Sequence, residues 1–253
     1  MNVKGIILIH RGVTKLIKQP TAPLTGFAMS MFFLIVYNAG IGGIGSMDAF
    51  GSGGYLAFVF PIAIISLAIG SSAGAIQTLQ SDMQSGYFKR LYLSPAPRWL
   101  LVVSPMFADT LSSLFFTLML VGIAALFGVG FQFGWLSVLG VMLLSLLWSL
   151  TLCGISAGIM LRTGKHQRAA IVTNIVFPLL FLSTTFLPRE LITAQWLLAV
   201  SWANPVTYLL EGSRYLLAGT SDALFFYVAL LIFVTTSLVS LAYALLGASK
   251  IKA

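Results

Sequence analysis

The chain has 253 residues, 58% of them hydrophobic and only 8% charged, with a formal net charge of +8. A soluble domain carries roughly 25% charged residues, so this composition excludes an ordinary globular enzyme and predicts a single polytopic membrane domain over 1–253. The one cysteine, Cys153, excludes an intrachain disulfide and a cysteine metal cluster.

In residues 1–20, Ile6, Ile9, Val13, Leu16 and Ile17 share one helical stripe, with Lys4, Arg11, Lys15 and Lys18 around the other side. That pattern predicts a helix lying in the cytosolic membrane interface, its lysine stems reaching towards anionic headgroups. No cleavable leader pattern is present, because the apolar run Ile6 to Ile9 is too short and is followed by His10 and Arg11.

Six segments reach the roughly 17–25 apolar residues of a spanning helix. They are predicted at 22–42, 55–76, 106–127, 135–161, 171–187 and 223–246. An even number of spans puts both termini on one side, and the basic residues say which. Four precede the first span, three (Lys89, Arg90, Arg98) follow the second, three (Arg162, Lys165, Arg168) follow the fourth, and Lys250 and Lys252 close the chain. Only Arg189 and Arg214 fall on the opposite face, which makes both termini cytosolic.

Between the first two spans, residues 43–54 are too glycine-rich to hold a helix and predict an external loop. No Gly-Lys-Ser/Thr follows, so they do not form a nucleotide-phosphate loop. The second span ends in Gly70-Ser71-Ser72-Ala73-Gly74 and the fourth in Gly154-Ile155-Ser156-Ala157-Gly158, two small-residue ridges suited to close helix packing. The second ridge also spells Gly-x-Ser-x-Gly, the pattern of a hydrolase nucleophile elbow. That motif needs a strand-turn-helix setting and a histidine partner, and the only histidines, His10 and His166, fall in cytosolic segments.

Residues 80–98 form the longest polar and charged interval. From Asp82 to Leu93 they predict a short amphipathic helix, with Met83, Phe88, Leu91 and Tyr92 on the apolar side and Asp82, Lys89 and Arg90 on the wet one; Pro95 and Pro97 end it. Asp109 is placed in the first turn of the third span, just after Pro105, where it either caps the helix or serves a function. No other ionisable Asp, Glu, Lys, Arg or His lies within the predicted spans, which argues against an ion-driven carrier or channel. From Pro188 to Asp222, Ile192–Trp202 is apolar but about half the length of a span, and Asn204-Pro205 breaks it before a second helix, Val206–Leu217. Two external re-entrant half-helices are expected, with Trp196, Trp202, Tyr208 and Tyr215 at headgroup depth and Glu211 and Arg214 able to pair three residues apart.

The run Asp82-x-x-x-Gly86-x-x-x-Arg90-x-x-x-x-Pro95-x-x-Arg98, with Ala108-Asp109 opening the next span, resembles the signature of ABC-2 type transporter permeases, in particular their daunorubicin-resistance-like multidrug branch. Phe186-Leu187-Pro188-x-Glu190, then Asn204-Pro205-x-Thr207-x-x-x-Glu211-x-x-Arg214 and Gly219, is similar to the segment such permeases carry between their last two spans. Where many members have an acidic-arginine pair, this chain has Asp82-Met83. The resemblance implies an all-α permease, not itself an enzyme. It would pair with a second permease copy or a related one, and with two ATP-binding-cassette subunits that carry the ATP and Mg. The chain itself would bind no cofactor, metal or nucleic acid, and it would sit in the cytoplasmic (inner) membrane.

By the same resemblance the 82–93 helix couples to the ATPase through Asp82, Gly86, Phe88, Lys89, Arg90, Tyr92, Pro95 and Arg98. Phe88 and Tyr92 would be apolar anchors, Lys89, Arg90 and Arg98 charge partners, and Gly86 a site of close backbone approach. Phe27, Phe32, Phe33, Tyr37, Phe177, Phe181 and Phe186 are candidate linings of a substrate path, and Asn204, Pro205, Glu211 and Arg214 of an external gate. An aromatic path without charges suits export of a drug or lipid-like amphiphile; polysaccharide or glycolipid export by the same architecture is the alternative.

Overall fold

The computed structural model describes residues 14, 21–41, 54–86 and 99–249, and these contain eight α-helices and no strand. In chain order they are α1 (Thr21–Ile41), α2 (Gly54–Gln84), α3 (Trp99–Leu126), α4 (Trp135–Thr163), α5 (His166–Phe181), α6 (Gln195–Ala203), α7 (Pro205–Leu217) and α8 (Ala223–Ser249). Four of them, α2, α3, α4 and α8, are long and apolar enough to cross a membrane. In α1 the apolar stretch Leu24–Tyr37 is shorter, and α5 has only 16 residues. Helices are what a hydrocarbon environment demands, since each satisfies its own backbone polar groups.

The bundle is arranged around α2, which packs against α1, α3, α4, α5 and α7. Its residues Ala57 to Ala68 are buried without a break, the signature of a helix with no lipid-facing side. By contrast α8 shows Leu224, Tyr227, Leu231 and Leu238 on an exposed apolar face, as a helix at the bundle rim does. Small residues set the spacing between helices. A Cβ on Gly26 of α1 would lie 3.1 Å from the Gly70 Cα of α2, so these two backbones are in contact.

Hydroxyl groups stitch the same crossings. Ser71 and Ser149 lie 3.1 Å apart, Ser72 and Ser156 2.8 Å, and Thr117 and Ser145 2.8 Å, linking α2 and α3 to α4. Ser156, the serine of the Gly-x-Ser-x-Gly pattern, is thus engaged on a helix interior and faces another hydroxyl, not an imidazole. The two glycines of that pattern face α8: a Cβ on Gly154 would meet Ser240 and one on Gly158 would meet Tyr243.

Several sequence expectations need correcting. A separate helix beginning at Asp82 is not what forms, because Asp82 lies in the last turn of α2, which continues unbroken to Gln84. Gly86 then takes φ +67°, the left-handed conformation that ends helices, so residues 82–86 terminate a helix where 82–93 was expected to be one. The third span starts earlier than 106, since the apolar lead-in Trp99–Val103 carries α3 through Pro105. Asp109 therefore lies about three turns inside α3, buried, and is no first-turn capping residue.

The fifth span stops short of 187. After Pro178 in α5, Ser183 turns its hydroxyl onto the Leu180 carbonyl and contacts Thr185, and the backbone leaves the helix at Phe181. The first half-helix is also shorter than 192–202, a 3-10 turn Arg189–Leu191 preceding α6 at Gln195. The interfacial helix of residues 1–20, apart from Thr14, and the coupling residues Phe88, Lys89, Arg90, Tyr92, Pro95 and Arg98 lie outside the described residues.

Candidate functional site: the two ends of α2

The chemistry of the described residues gathers at the two ends of α2. Near its first turns, Phe58 meets the most enclosed charged side chain among the described residues. Arg214 of α7 is 1% exposed, with its guanidinium carbon 3.4 Å from the centre of the Phe58 ring. Its Nε donates to the Phe58 carbonyl (3.0 Å), Nη2 to the Thr185 carbonyl (3.2 Å), and Nη1 to Glu211 Oε1 (2.9 Å) and Thr184 Oγ1 (3.3 Å). Glu211 has two further donors: Thr184 Oγ1 donates to Oε1 at 2.6 Å and Ser221 Oγ donates to Oε2.

Burial raises the Glu211 carboxyl's affinity for a proton, but the Arg214 charge and the hydroxyl donors outweigh that and hold its pKa below the ordinary carboxylate value. Burial pushes the Arg214 guanidinium down to about 10, against the pull of Glu211, which leaves it charged at neutral pH. The expected Glu211–Arg214 pair is therefore present, at three-residue spacing on α7.

Local sequence explains why the pair can form there. Asn204 caps α7 by accepting from the Val206 N–H (3.0 Å), and Pro205 occupies the first helical position, where its missing N–H costs nothing. The Asn204 side chain also donates to the Leu179 carbonyl (2.6 Å), which ties the start of α7 to the end of α5. The unwinding after Phe181 is what frees Thr184 and Thr185 to reach the pair. Sequence reasoning missed both threonines, Ser221 and Phe58. A detectable signal was present: Ser183-Thr184-Thr185 is three consecutive hydroxyl residues inside a predicted span, where each needs a partner.

At the far end, Leu79 and Met83 pack into a second apolar cluster with Val102, Met160, Leu161 and Ala169, so the last turns of α2 are held by α3, α4 and α5. Asp82 is buried there. Nothing in the described chain lies within 4 Å of where a Cβ on Gly86 would stand, so the left-handed turn, not a close approach within this chain, is what requires glycine. Phe58 and Asp82 are 24 positions apart on one continuous helix, a separation of about 36 Å.

Phe33, Tyr37, Phe186 and Phe181, four of the aromatic candidates, form one strip. Phe33 stacks on Tyr37 (5.8 Å between centroids), Tyr37 meets Phe186 (5.0 Å), and Phe186 meets Phe181 (5.4 Å), joining α1 to the segment after α5. Phe27 turns away to Phe116 of α3 (5.2 Å). Phe33 and Phe177 help line a largely apolar cavity of about 230 Å3 between α1, α2 and α5, together with Met29, Ile69 and Leu180. Phe32 contacts Phe33 and is exposed.

A helical bundle with four membrane-length helices, organised around a nearly lipid-free central one, is an integral membrane protein. The chain belongs to the ABC-2 type transporter family, which matches residues 5–218. These are transport permeases, membrane subunits that work with an ATP-binding partner and are not themselves enzymes. The chain is 26% identical over 213 residues to the Daunorubicin resistance ABC transporter permease protein DrrB1 of Streptomyces coeruleorubidus, covering 84% of this chain and 73% of that one. It is also 26% identical over 220 residues to the Inner membrane transport permease YadH of Escherichia coli, covering 85% and 81% respectively.

Proposed function

We propose that this chain is the permease subunit of an ATP-driven exporter that crosses the cytoplasmic membrane six times and moves an amphiphilic substrate outward. The observation that carries the reading is the continuity of α2. Its 31 residues make a rod of about 46 Å, longer than the roughly 30 Å hydrocarbon core, so one end projects beyond the bilayer. The projecting end is the polar one, Gln77 to Gln84, and it leads directly into Gly86, Phe88, Lys89, Arg90, Tyr92, Pro95 and Arg98. An ATPase subunit that grips residues 86–98 pushes on the most enclosed helix of the bundle. Through Phe58 it thereby reaches the Arg214–Glu211 pair of the external gate. The daunorubicin-resistance role in the name of one relative and the apolar cavity beside Phe33 and Phe177 both favour a drug or lipid-like substrate.

Charge reversal in Arg90→Glu is expected to weaken retention of the co-expressed ATP-binding-cassette partner in mild detergent at least tenfold while leaving membrane insertion intact, because like charges brought together in a buried contact cost several kcal/mol. Equal retention by wild type and variant sinks the docking role. No retention by wild type removes the energy source and the exporter reading with it.

The six-crossing arrangement has its own test. Single cysteines at Glu190, Asp222 and Lys252 in a Cys153→Ala background should react with an impermeant thiol reagent from outside, outside and inside; the first two positions are exposed in the structure. Treating 189–222 as another crossing would instead drive Glu211 and Arg214 through hydrocarbon at roughly 2.5–3.5 kcal/mol each. External labelling at position 252 would overturn the topology.

A further inference from the structure

Beside the Arg214–Glu211 pair, the turn at Arg189, the end of α6 and the loop into α8 enclose a cavity of about 340 Å3. Arg189, Trp202, Glu211, Ser221, Asp222 and Phe225 contribute to its wall. The Arg189 guanidinium lies against two rings, 4.0 Å from the centre of Trp202 and 4.2 Å from that of Phe225. Its Nε and Nη2 are enclosed, yet among the described residues neither has a hydrogen-bond partner. These two nitrogens form the edge of a guanidinium whose parallel N–H groups match the paired oxygens of a phosphate or carboxylate. Enclosed donors of this kind call for an acceptor.

The neighbouring charges do not supply one. Glu211 takes its donors from Arg214, Thr184 and Ser221, and although the Arg189 charge acts on it, no hydrogen bond joins the two. Glu190 and Asp222 also line the cavity, but both side chains are exposed, at its lip. The cavity wall therefore holds a guanidinium whose Nε and Nη2 lack hydrogen-bond partners among the described residues, with two exposed carboxylates beside it. A simple anion meets repulsion from Glu190 and Asp222, and a simple cation leaves the fork unfilled. We propose that this cavity binds a zwitterionic headgroup, its phosphate or carboxylate on the Arg189 fork and its ammonium between Glu190 and Asp222. Trp196 and Trp202, 64% and 50% exposed, sit on the adjoining α6 as aromatic side chains do at headgroup depth, which favours a lipid as the source. The site rests on side-chain geometry alone and stands or falls independently of the transport reading.

The test uses the purified protein in detergent and saturation-transfer NMR with three soluble probes: glycerophosphoethanolamine, glycerol 3-phosphate and ethanolamine. Saturable binding of the first, with the other two at least about tenfold weaker, is the expected result. Arg189→Lys keeps the charge but loses the fork, so it should weaken glycerophosphoethanolamine about tenfold at an unchanged unfolding midpoint. Asp222→Asn should weaken glycerophosphoethanolamine and leave glycerol 3-phosphate no weaker, a contrast that a merely structural role does not produce. Dihexanoyl phosphatidylethanolamine displacing the soluble probe at a far lower concentration identifies a lipid as the source, and equal potency identifies a soluble zwitterion; either supports the site. Absence of saturable binding to wild type, glycerol 3-phosphate binding as tightly as the zwitterion, or undiminished binding in Arg189→Lys overturns it.

Discussion

Replacing Arg214 with alanine should remove most of the well-folded protein from a detergent extract. The substitution strips Glu211 of its counter-ion in an enclosed setting and removes the Arg214 donors from the carbonyls of Phe58 and Thr185. Breaking one side of a buried pair costs about 3–5 kcal/mol, a large fraction of the 5–15 kcal/mol that holds a typical domain together. The double variant Arg214→Leu with Glu211→Leu should recover part of that loss, because no uncompensated charge remains. Arg214→Lys should fall between, keeping the charge but losing the fork that reaches three elements at once.

The pair should also make stability depend on pH in one direction. The Glu211 pKa is lowered on folding from its ordinary 4.5, so its contribution is complete above that value and fades as pH falls through the lower, folded one. Unfolding midpoints in a denaturing-detergent titration check all of this. An Arg214→Ala midpoint equal to wild type would show that the network contributes nothing to the fold.

That network also marks the limit of what the sequence could disclose. The Glu211–Arg214 spacing on a helix is a local pattern, and the Asn204-Pro205 cap is another, so both could be read directly. Phe58 lies 156 positions from Arg214, and nothing local in either stretch encodes their meeting. Long apolar runs likewise disclosed the helices, but run length says little about where a helix stops. Hydropathy drops after Ile76, yet α2 continues to Gln84, because Leu79 and Met83 find apolar partners on α3, α4 and α5. In the opposite direction, the apolar character of 182–187 continues while the helix does not, since three consecutive hydroxyls divert the backbone. The glycine ridges could be recognised as contact surfaces. Their partner could not: 154 and 158 face α8, while it is the serines between and before them that face α2.

The glycine ridge of α4 yields the second large effect, in Gly154→Leu. A Cβ at this position would lie 2.5 Å from the Ser240 Oγ, 2.8 Å from its Cβ and 2.9 Å from its carbonyl carbon, so even the first added atom collides with backbone. Ser240 is not free to swing aside, because its hydroxyl donates to the Ser237 carbonyl at 2.9 Å and approaches the Leu150 carbonyl at 3.3 Å. One turn further along, Arg162 holds Tyr243 in place, its guanidinium 3.7 Å from the ring centre and its Nη1 donating to the Tyr243 carbonyl at 2.9 Å. α8 must therefore move as a rod, away from the helix that carries its main contact, and the cost should reach or exceed the 1–3 kcal/mol usual for overpacking. Two substitutions separate this from a general intolerance of change. Ser156→Ala removes only the 2.8 Å contact with Ser72, an interhelical bond of a kind that averages about 0.6 kcal/mol in a membrane bundle, and should barely move the unfolding midpoint. Gly122→Ala, with open space where its Cβ would stand, should be neutral or mildly stabilising through helix propensity. If Gly154→Leu unfolds no earlier than Ser156→Ala, the α4–α8 contact is looser than these distances describe; if Ser156→Ala abolishes transport at normal stability, the serine has a chemical role that its hydroxyl partner on α2 does not explain.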